Sequence, residues 1–344
     1  MSLLGLPLAG SAPQPVAVRA TDPLGPRLLG WPTSRAAAAV VVLFAVSAVL
    51  SGASVGRTAL LAMLPFAALT AIVAVGQTLV VQQAGLDLSV AGGISLGALV
   101  VARYGDAAQW GLGTAIAVAL AATLLAGLVS GLVVTAFGLP PLVVTIAVNA
   151  LLIGLVQFLS GGYSAQAPEA LTGFAVGRTL GVPHLVLVAA VVIVAAQLVL
   201  KGTVVGRRFE LVGANRLAAH AAGINTRRYT ISAYALSALL AGGAGVLLAG
   251  FLRTTTSSAG DAYLLPSVAA VVLGGTALTG GRGSLTGTAL GALFLGQLTQ
   301  LVQTYTQTTA VQNIVQSVII GVGIVVQLSI ATRLRRRAIR RNPT

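Results

Sequence analysis

From Ala36 onward the chain alternates long apolar runs with short polar or glycine-rich stretches. The runs are Ala36–Ser51, Leu60–Val81, Val90–Ala102, Gly113–Phe137, Leu142–Ser160, Leu185–Leu200, Thr230–Leu252, Leu264–Leu278, Leu285–Leu301 and Val311–Ile330. About 20 apolar residues in helical form cross the hydrocarbon of a bilayer. Lipid offers the backbone no hydrogen bonds, so such runs must satisfy their own as helices. The pattern predicts an all-α, polytopic membrane protein with about ten transmembrane helices. Some of these are broken, because glycines interrupt several boundaries and the third run is short. Residues 1–34 are Pro/Gly-rich and polar, and read as a disordered cytoplasmic tail. Residues 35–332 form the transmembrane domain, and 333–344 a basic cytoplasmic tail.

Composition agrees with that reading. Charged residues are 8% of the chain and apolar ones 56%, whereas a soluble domain carries about 25% charged residues. The net charge of +14 raises the question of nucleic acid. The arginines gather at span boundaries, however, with no basic stripe interleaved with aromatics, so no nucleic-acid partner is expected. With ten spans and the N-terminus inside, all but four of the 20 Lys and Arg fall on the inner side. The four are Arg57, Arg103, Arg178 and Arg253. This asymmetry places both termini in the cytoplasm. There is no cysteine, and the two histidines, His184 and His220, lie far apart. No metal site is expected.

One polar island stands between the sixth and seventh runs, over residues 201–229. It carries Lys201, Arg207, Arg208, Arg216, Arg227 and Arg228 against one acid, Glu210. Within it, Asn215 to Ala222 is Ala-rich and predicts a short helix, punctuated by Gly213 and Gly223. Charge alone explains the island as a loop that fixes topology. A helix held on such a loop also offers something to dock against.

Two further stretches interrupt the spans. Asp87, one of six acids, follows Gln82-Gln83-Ala84-Gly85 and is flanked by Ser89, Gly92 and Gly93. An acid near membrane depth needs a polar partner or water. It is either part of a translocation path or gate, or a cap for the third span; the two roles are compatible. The Gly274–Gly287 stretch is too glycine-rich for a lipid-facing helix. It lacks the lysine of a phosphate-binding loop. It reads as an irregular inner turn, and its faint echo of Gly85–Gly97 suggests an internal repeat. Gln77, Thr145, Asn149 and Gln297 are polar side chains inside spans. With Asp87 and Ser89 they are the candidates for a path that carries an uncharged polyhydroxyl solute, and each also serves as interhelical glue. No paired carboxylates, nucleophile with base, or metal cluster points to an enzyme. Glu169 and Asp261 fall in outer loops.

Four motifs in order carry a resemblance. They are Gly85-Leu-Asp-Leu-Ser-Val90; Leu139-Pro-Pro-Leu-Val-Val-Thr145; Gly206-Arg207 with Gly213-Ala-Asn-Arg-Leu-Ala-Ala219 and Gly223-Ile-Asn225; and Ala269-Ala-Val-Val-Leu-Gly-Gly-Thr276 with Gly280-Gly-Arg-Gly283. Over roughly residues 60–330 the chain resembles the permease subunits of ABC importers for monosaccharides, of the ribose/xylose/galactose type. The Asp-Leu-Ser-Val pattern favours these over the related branched-chain amino-acid permeases. The resemblance implies that the island carries a coupling helix that docks into a cytoplasmic ATP-binding subunit. Gly213, Asn215, Arg216, Ala218, Ala219, His220, Gly223 and Ile224 would lie at or near that contact. It also implies a periplasmic or lipid-anchored sugar-binding protein and a second permease copy or close relative. No cofactor would be bound by this chain, since ATP and Mg would sit in the ATPase. The location would be the bacterial cytoplasmic (inner) membrane. The chain departs from the pattern at Ala84 and Ala91, where glycines are common, and at His220, where arginine is. It also has Tyr263-Leu-Leu-Pro-Ser267 where an acid usually follows the tyrosine. The alternative is a secondary transporter of a small polar solute, which would need a coupling-ion site. A membrane enzyme acting on lipid-linked substrate would need clustered acids.

Overall fold

The computed structural model describes residues 32–281, 283–306, and 308, 310, 311, 314, 315, 317, 318, 321 and 322. Arg282, most of the tenth predicted run and nearly all of both predicted tails lie outside the described residues. The helices are α1 (Pro32–Leu50), α2 (Arg57–Gln82), α3 (Val90–Tyr104), α4 (Leu112–Phe137), α5 (Pro141–Ser160), α6 (Glu169–Val176), α7 (His184–Gly202), α8 (Val204–Ala214), α9 (Arg216–Ala221), α10 (Thr226–Leu252), α11 (Asp261–Leu273) and α12 (Leu285–Gln303). A 3-10 turn over Gly52–Val55 joins α1 to α2. The described strands are two-residue pieces: β1 (Ala165–Gln166) pairs antiparallel with β4 (Thr254–Thr255), and β2 (Arg178–Thr179) with β3 (Val182–Pro183).

Seven of these helices, α1, α2, α4, α5, α7, α10 and α12, are long and apolar enough to cross a bilayer. At about 1.5 Å per residue, α3 and α11 reach only ~22 and ~20 Å, short of the ~30 Å of hydrocarbon. Their place in the bundle explains this. α3 runs alongside α10 in the same direction, with Gly93 facing Ala241 and Gly97 lying on the backbone of Gly242. It therefore starts about halfway along α10. Gly260, just ahead of α11, lies against the backbone of Ala91 at the start of α3. α11 then runs the other way, and its end at Gly274 meets Gly287 near the start of α12. The two half-length helices begin back to back at mid-level and leave toward opposite ends. Non-helical chain supplies the remaining depth: residues 83–89 lead into α3 and residues 253–260 into α11.

α10 is the centre of the bundle. Its faces are Gly, Ala and Ser, so neighbouring backbones come close. Gly76 of α2 seats on Ser237, Gly127 of α4 on Tyr234 and Ala235, and Gly131 on Ile231. Any Cβ at these glycines would collide with main chain. The apolar windows of α2 and α10 are 67% and 61% buried, against 17% for α7. The latter presents its surface outward, as a lipid-facing helix does.

The connections sort onto two ends as the charge pattern requires. At one end the Gly281 N–H donates to Gln82 O (2.9 Å), and the hydroxyls of Thr33 and Ser284 pair at 2.9 Å. At the other end Ala167 N–H donates to Arg253 O (2.8 Å), and Tyr305 Oη donates to Leu50 O (2.8 Å). Several predicted boundaries shift. The first span begins at Pro32, not Ala36. The eighth ends at Leu273, not Leu278, because Gly275 takes φ +88° and turns the chain out of the helix. Glu169 and Asp261 are not in loops; they occupy the first turns of α6 and α11, where the positive helix end favours an acid. α8 was hidden in the basic island. It forms because Gly206, Phe209 and Val212 recur at three-residue spacing and are buried.

Candidate functional site

The lead-in to α3 is the most polar buried part of the bundle. It leaves α2 through Ala84, which takes φ +58°. Glycine adopts that conformation without strain, which gives the departure from the glycine pattern at this position a physical meaning. Asp87 follows, only 1% exposed. Its Oδ1 accepts from the N–H (3.0 Å) and hydroxyl of Ser89, and its Oδ2 accepts from Ser237 Oγ of α10 (2.8 Å). Gln77 brackets the main chain of the same residue: Nε2 donates to Asp87 O (2.7 Å) and Oε1 accepts from Asp87 N–H (3.2 Å). Thr145 Oγ1 donates to Pro141 O (3.0 Å) and reaches Leu86 O (3.4 Å). Asn149 Oδ1 accepts from Gly92 N–H (2.8 Å) in the first turn of α3.

Five of the six candidate path residues thus converge on one lead-in. Most of their bonds go to backbone, and they satisfy groups that a broken helix would leave stranded in an apolar interior. Gln297 is elsewhere, on α12. It is fully buried, and neither amide atom has a hydrogen-bond partner among the described residues. A cavity of about 500 Å³ lies between α2, α4, α6, α7 and α10. Its walls are apolar, including Ile72, Ile116, Leu171, Val192 and Leu247, so it offers a hydroxylated solute no partners.

The second part of the site is the α8–α9 island. Asn215 caps α9, its Oδ1 accepting from Ala218 N–H (3.0 Å). Gly223 ends it at φ +76°, with the Ile224 N–H donating to Ala219 O (3.0 Å). The predicted short helix and the Gly223 that ends it are where the sequence placed them, but Gly213 lies inside α8, and Asn215 marks the start of α9 instead. A Cβ on Gly213 would strike the carbonyl of Gln82, so α8 seats directly on the end of α2. The candidate docking residues divide into two sets. Ala218, His220 and Gly223 are exposed and Ile224 is half-buried. Ala219 is only 4% exposed and turned into the protein. Arg216 is exposed, but its Nη2 reaches back to donate to Gln83 O (2.9 Å) and to Thr230 Oγ1 (3.3 Å). Leu217, which sequence reasoning passed over, is 84% exposed at the tip. An isolated Leu in a basic loop gives no sequence signal; the capped geometry of α9 turns it outward.

These residues form one constellation. It joins a surface helix to a buried broken connection in a bundle of membrane spans. Residues 59–326 match a family described as the permease component of a branched-chain amino acid transport system. The chain belongs to this permease family. It is a multi-pass protein of the inner membrane. Its relatives include the ribose import permease protein RbsC of Escherichia coli K12, 33% identical over 84% of this chain and 91% of that protein. The RbsC of Bacillus subtilis is 33% identical over 75% and 80%. The fructose import permease protein FruF of Bifidobacterium longum is 30% identical over 71% and 70%. No solved structure matches the chain. The family description names amino acids, while these relatives are named for sugars.

Proposed function

We propose that the chain is the translocation subunit of an ATP-driven importer, and that its cargo is a monosaccharide handed over by an extracytoplasmic binding protein. Its relatives are named as ribose and fructose import permeases, and the proposal takes the substrate class from them. The observation that carries the coupling part is α9: a capped helix standing off the membrane domain, with Leu217 84% exposed and small Ala218 beside it. An exposed leucine next to an alanine suits a groove that a helix enters closely. The groove would belong to a cytoplasmic ATP-binding subunit, which would hold ATP and Mg and perform the hydrolysis. Charge asymmetry puts this end and both termini in the cytoplasm. Two ATP-binding domains act together, so two permease chains are needed, as identical or closely related copies.

The test is co-expression with the neighbouring ATPase subunit, reconstitution in lipid, and hydrolysis measured with binding protein–sugar and binding protein–amino acid pairs. The expected result is a stable complex stimulated by one sugar pair. Stimulation by a branched-chain amino acid pair alone would overturn the cargo assignment. Ala218→Trp should lower stimulated hydrolysis at least tenfold while the chain still inserts. Unchanged stimulation in that variant would remove α9 from the interface.

A further inference from the structure

Arg216 stands between the two halves of the site. It is the first residue of α9 and is exposed, yet one guanidinium nitrogen reaches back to the carbonyl of Gln83. The same nitrogen reaches Thr230 on α10. Thr230, Tyr234 and Ser237 fall on one stripe of α10, four and then three residues apart. The lead-in to α3 runs along that stripe. Arg216, bonded to Thr230, meets it at Gln83, Tyr234 meets it at Gly85, and Ser237 meets it at Asp87. The end of α2 is gripped in three further ways, two from the island and one from the turn between α11 and α12. Gln83 Nε2 donates to Phe209 O of α8 (2.9 Å), Gly213 rests on the Gln82 carbonyl, and Gly281 N–H bonds that carbonyl. Of these ties, only the Arg216 bond reaches the lead-in from α9 itself, and it is a charge-assisted one, about twice as strong as a neutral bond.

We propose that Arg216 is a positioning residue that carries movement of the docking helix into the α3 lead-in, and so to Asp87 at mid-level. The proposal rests on α9 being the ATPase contact. Without Arg216, α9 keeps its Asn215 cap and its exposed Leu217 and Ala218, but loses its direct bond to the broken connection. Docking then persists while its consequence for the path is weakened. The amide of Gln83 and the stripe on α10 remain, so the bundle itself keeps its packing.

The experiment uses the full complex with its ATPase and binding protein in lipid vesicles. It compares native chain, Arg216→Ala, Arg216→Lys and Thr230→Val. The readouts are ATPase retained on the complex, the ratio of stimulated to unstimulated hydrolysis, and sugar moved per ATP. Arg216→Ala is expected to retain the ATPase while sugar moved per ATP falls at least tenfold. Arg216→Lys, whose ammonium can still donate to the Gln83 carbonyl, is expected to recover to within threefold of native. Thr230→Val, which removes one of the two acceptors, is expected to lose two- to threefold. Native transport per ATP in Arg216→Ala overturns the proposal. Loss of the ATPase from both Arg216 variants also overturns it, because Arg216 would then be a docking contact. If Arg216→Ala does not assemble, Arg216→Lys and Thr230→Val decide: native values in both support a purely structural role for the residue and overturn the proposal. A native chain that never retains any ATPase is a different result, and rejects the docking role of α9 instead.

Discussion

The two half-length helices begin at the same level, but their lead-ins are built differently. The chain into α3 is sealed. Asp87 is buried with both oxygens engaged, and Gln77, Ser237, Thr145 and Asn149 hold the segment from three neighbouring helices. The chain into α11 is open. Arg253, Thr254, Thr256 and Ser258 are exposed, and so is Asp261 in the first turn that follows. It is held mainly by the two-residue pairing of Thr254–Thr255 with Ala165–Gln166 and by one bond from Gly260 N–H to Ser95 Oγ (3.0 Å). The sealed lead-in adjoins the α8–α9 island, and the open one adjoins the opposite end. The difference assigns stability to the first connection and freedom of movement to the second.

Breaking the sealed side should have the largest effect. Asp87→Ala strands the N–H and hydroxyl of Ser89 and the hydroxyl of Ser237, and each stranded buried group costs about 1–3 kcal/mol. Rotating hydroxyls find other carbonyls, so the expected loss is about 3 kcal/mol in total. It should appear as a lower unfolding midpoint when the purified chain is titrated with denaturing detergent. Asp87→Asn, which keeps one acceptor oxygen, should lose less than half as much. Equal losses in the two variants would mean that the carboxylate is not holding the lead-in through these bonds.

A middle effect is expected where the two lead-ins touch. Ser95→Ala removes the acceptor for the Gly260 N–H in a buried setting. The cost should be about 1 kcal/mol by the same titration. Because Ser95 sits on the sealed α3 and Gly260 on the open lead-in, the variant should also speed protease cutting at residues 253–260 more than anywhere in α3. Uniform acceleration would show that the two connections do not differ in local stability.

Much of this arrangement was legible before any coordinates. Asp87 with its flanking Ser89 and glycines announced a broken helix, because an acid in that company cannot be ordinary span. The alternation of apolar runs gave the spans, since lipid leaves the backbone no other solution. The alanines between Asn215 and Ala222, with Gly223 after them, gave α9, although Asn215 proves to be its cap and Gly213 lies one helix earlier. What could not be read is equally physical. The partnership of Gln77 with Asp87 is ten residues apart across a turn, and that of Asp87 with Ser237 is 150 apart; no local pattern encodes either. α8 was masked because its buried stripe is only three residues, two of them apolar, between charges. The inward turn of Arg216 and Ala219 depends on how α9 seats, so a helix correctly predicted still had its two faces undivided. The depth at which α3 and α11 start depends on which residues face Gly97 and Gly260, and glycine itself says only that something comes close.

The smallest effect should come from the open side. Asp261 is exposed in the first turn of α11, and among the described residues no buried group is seen bonded to its carboxylate. Its contribution is the attraction between a carboxylate and the positive end of a short helix, typically about 0.3–1 kcal/mol and screened by salt. Asp261→Asn keeps the side chain's size and its ability to accept a hydrogen bond. The expected loss is therefore about 0.5 kcal/mol or less at low salt, and none measurable at about 1 M salt, where the screening length is ~3 Å. The contrast with Asp87→Ala is the point of the measurement. Both are acids at the approach to a half-length helix, Asp87 in the lead-in and Asp261 in the first turn, and they differ most in burial and partner number. A loss above about 2 kcal/mol that persists in high salt would show that Asp261 has a desolvated partner, and the open lead-in would then be as sealed as the other.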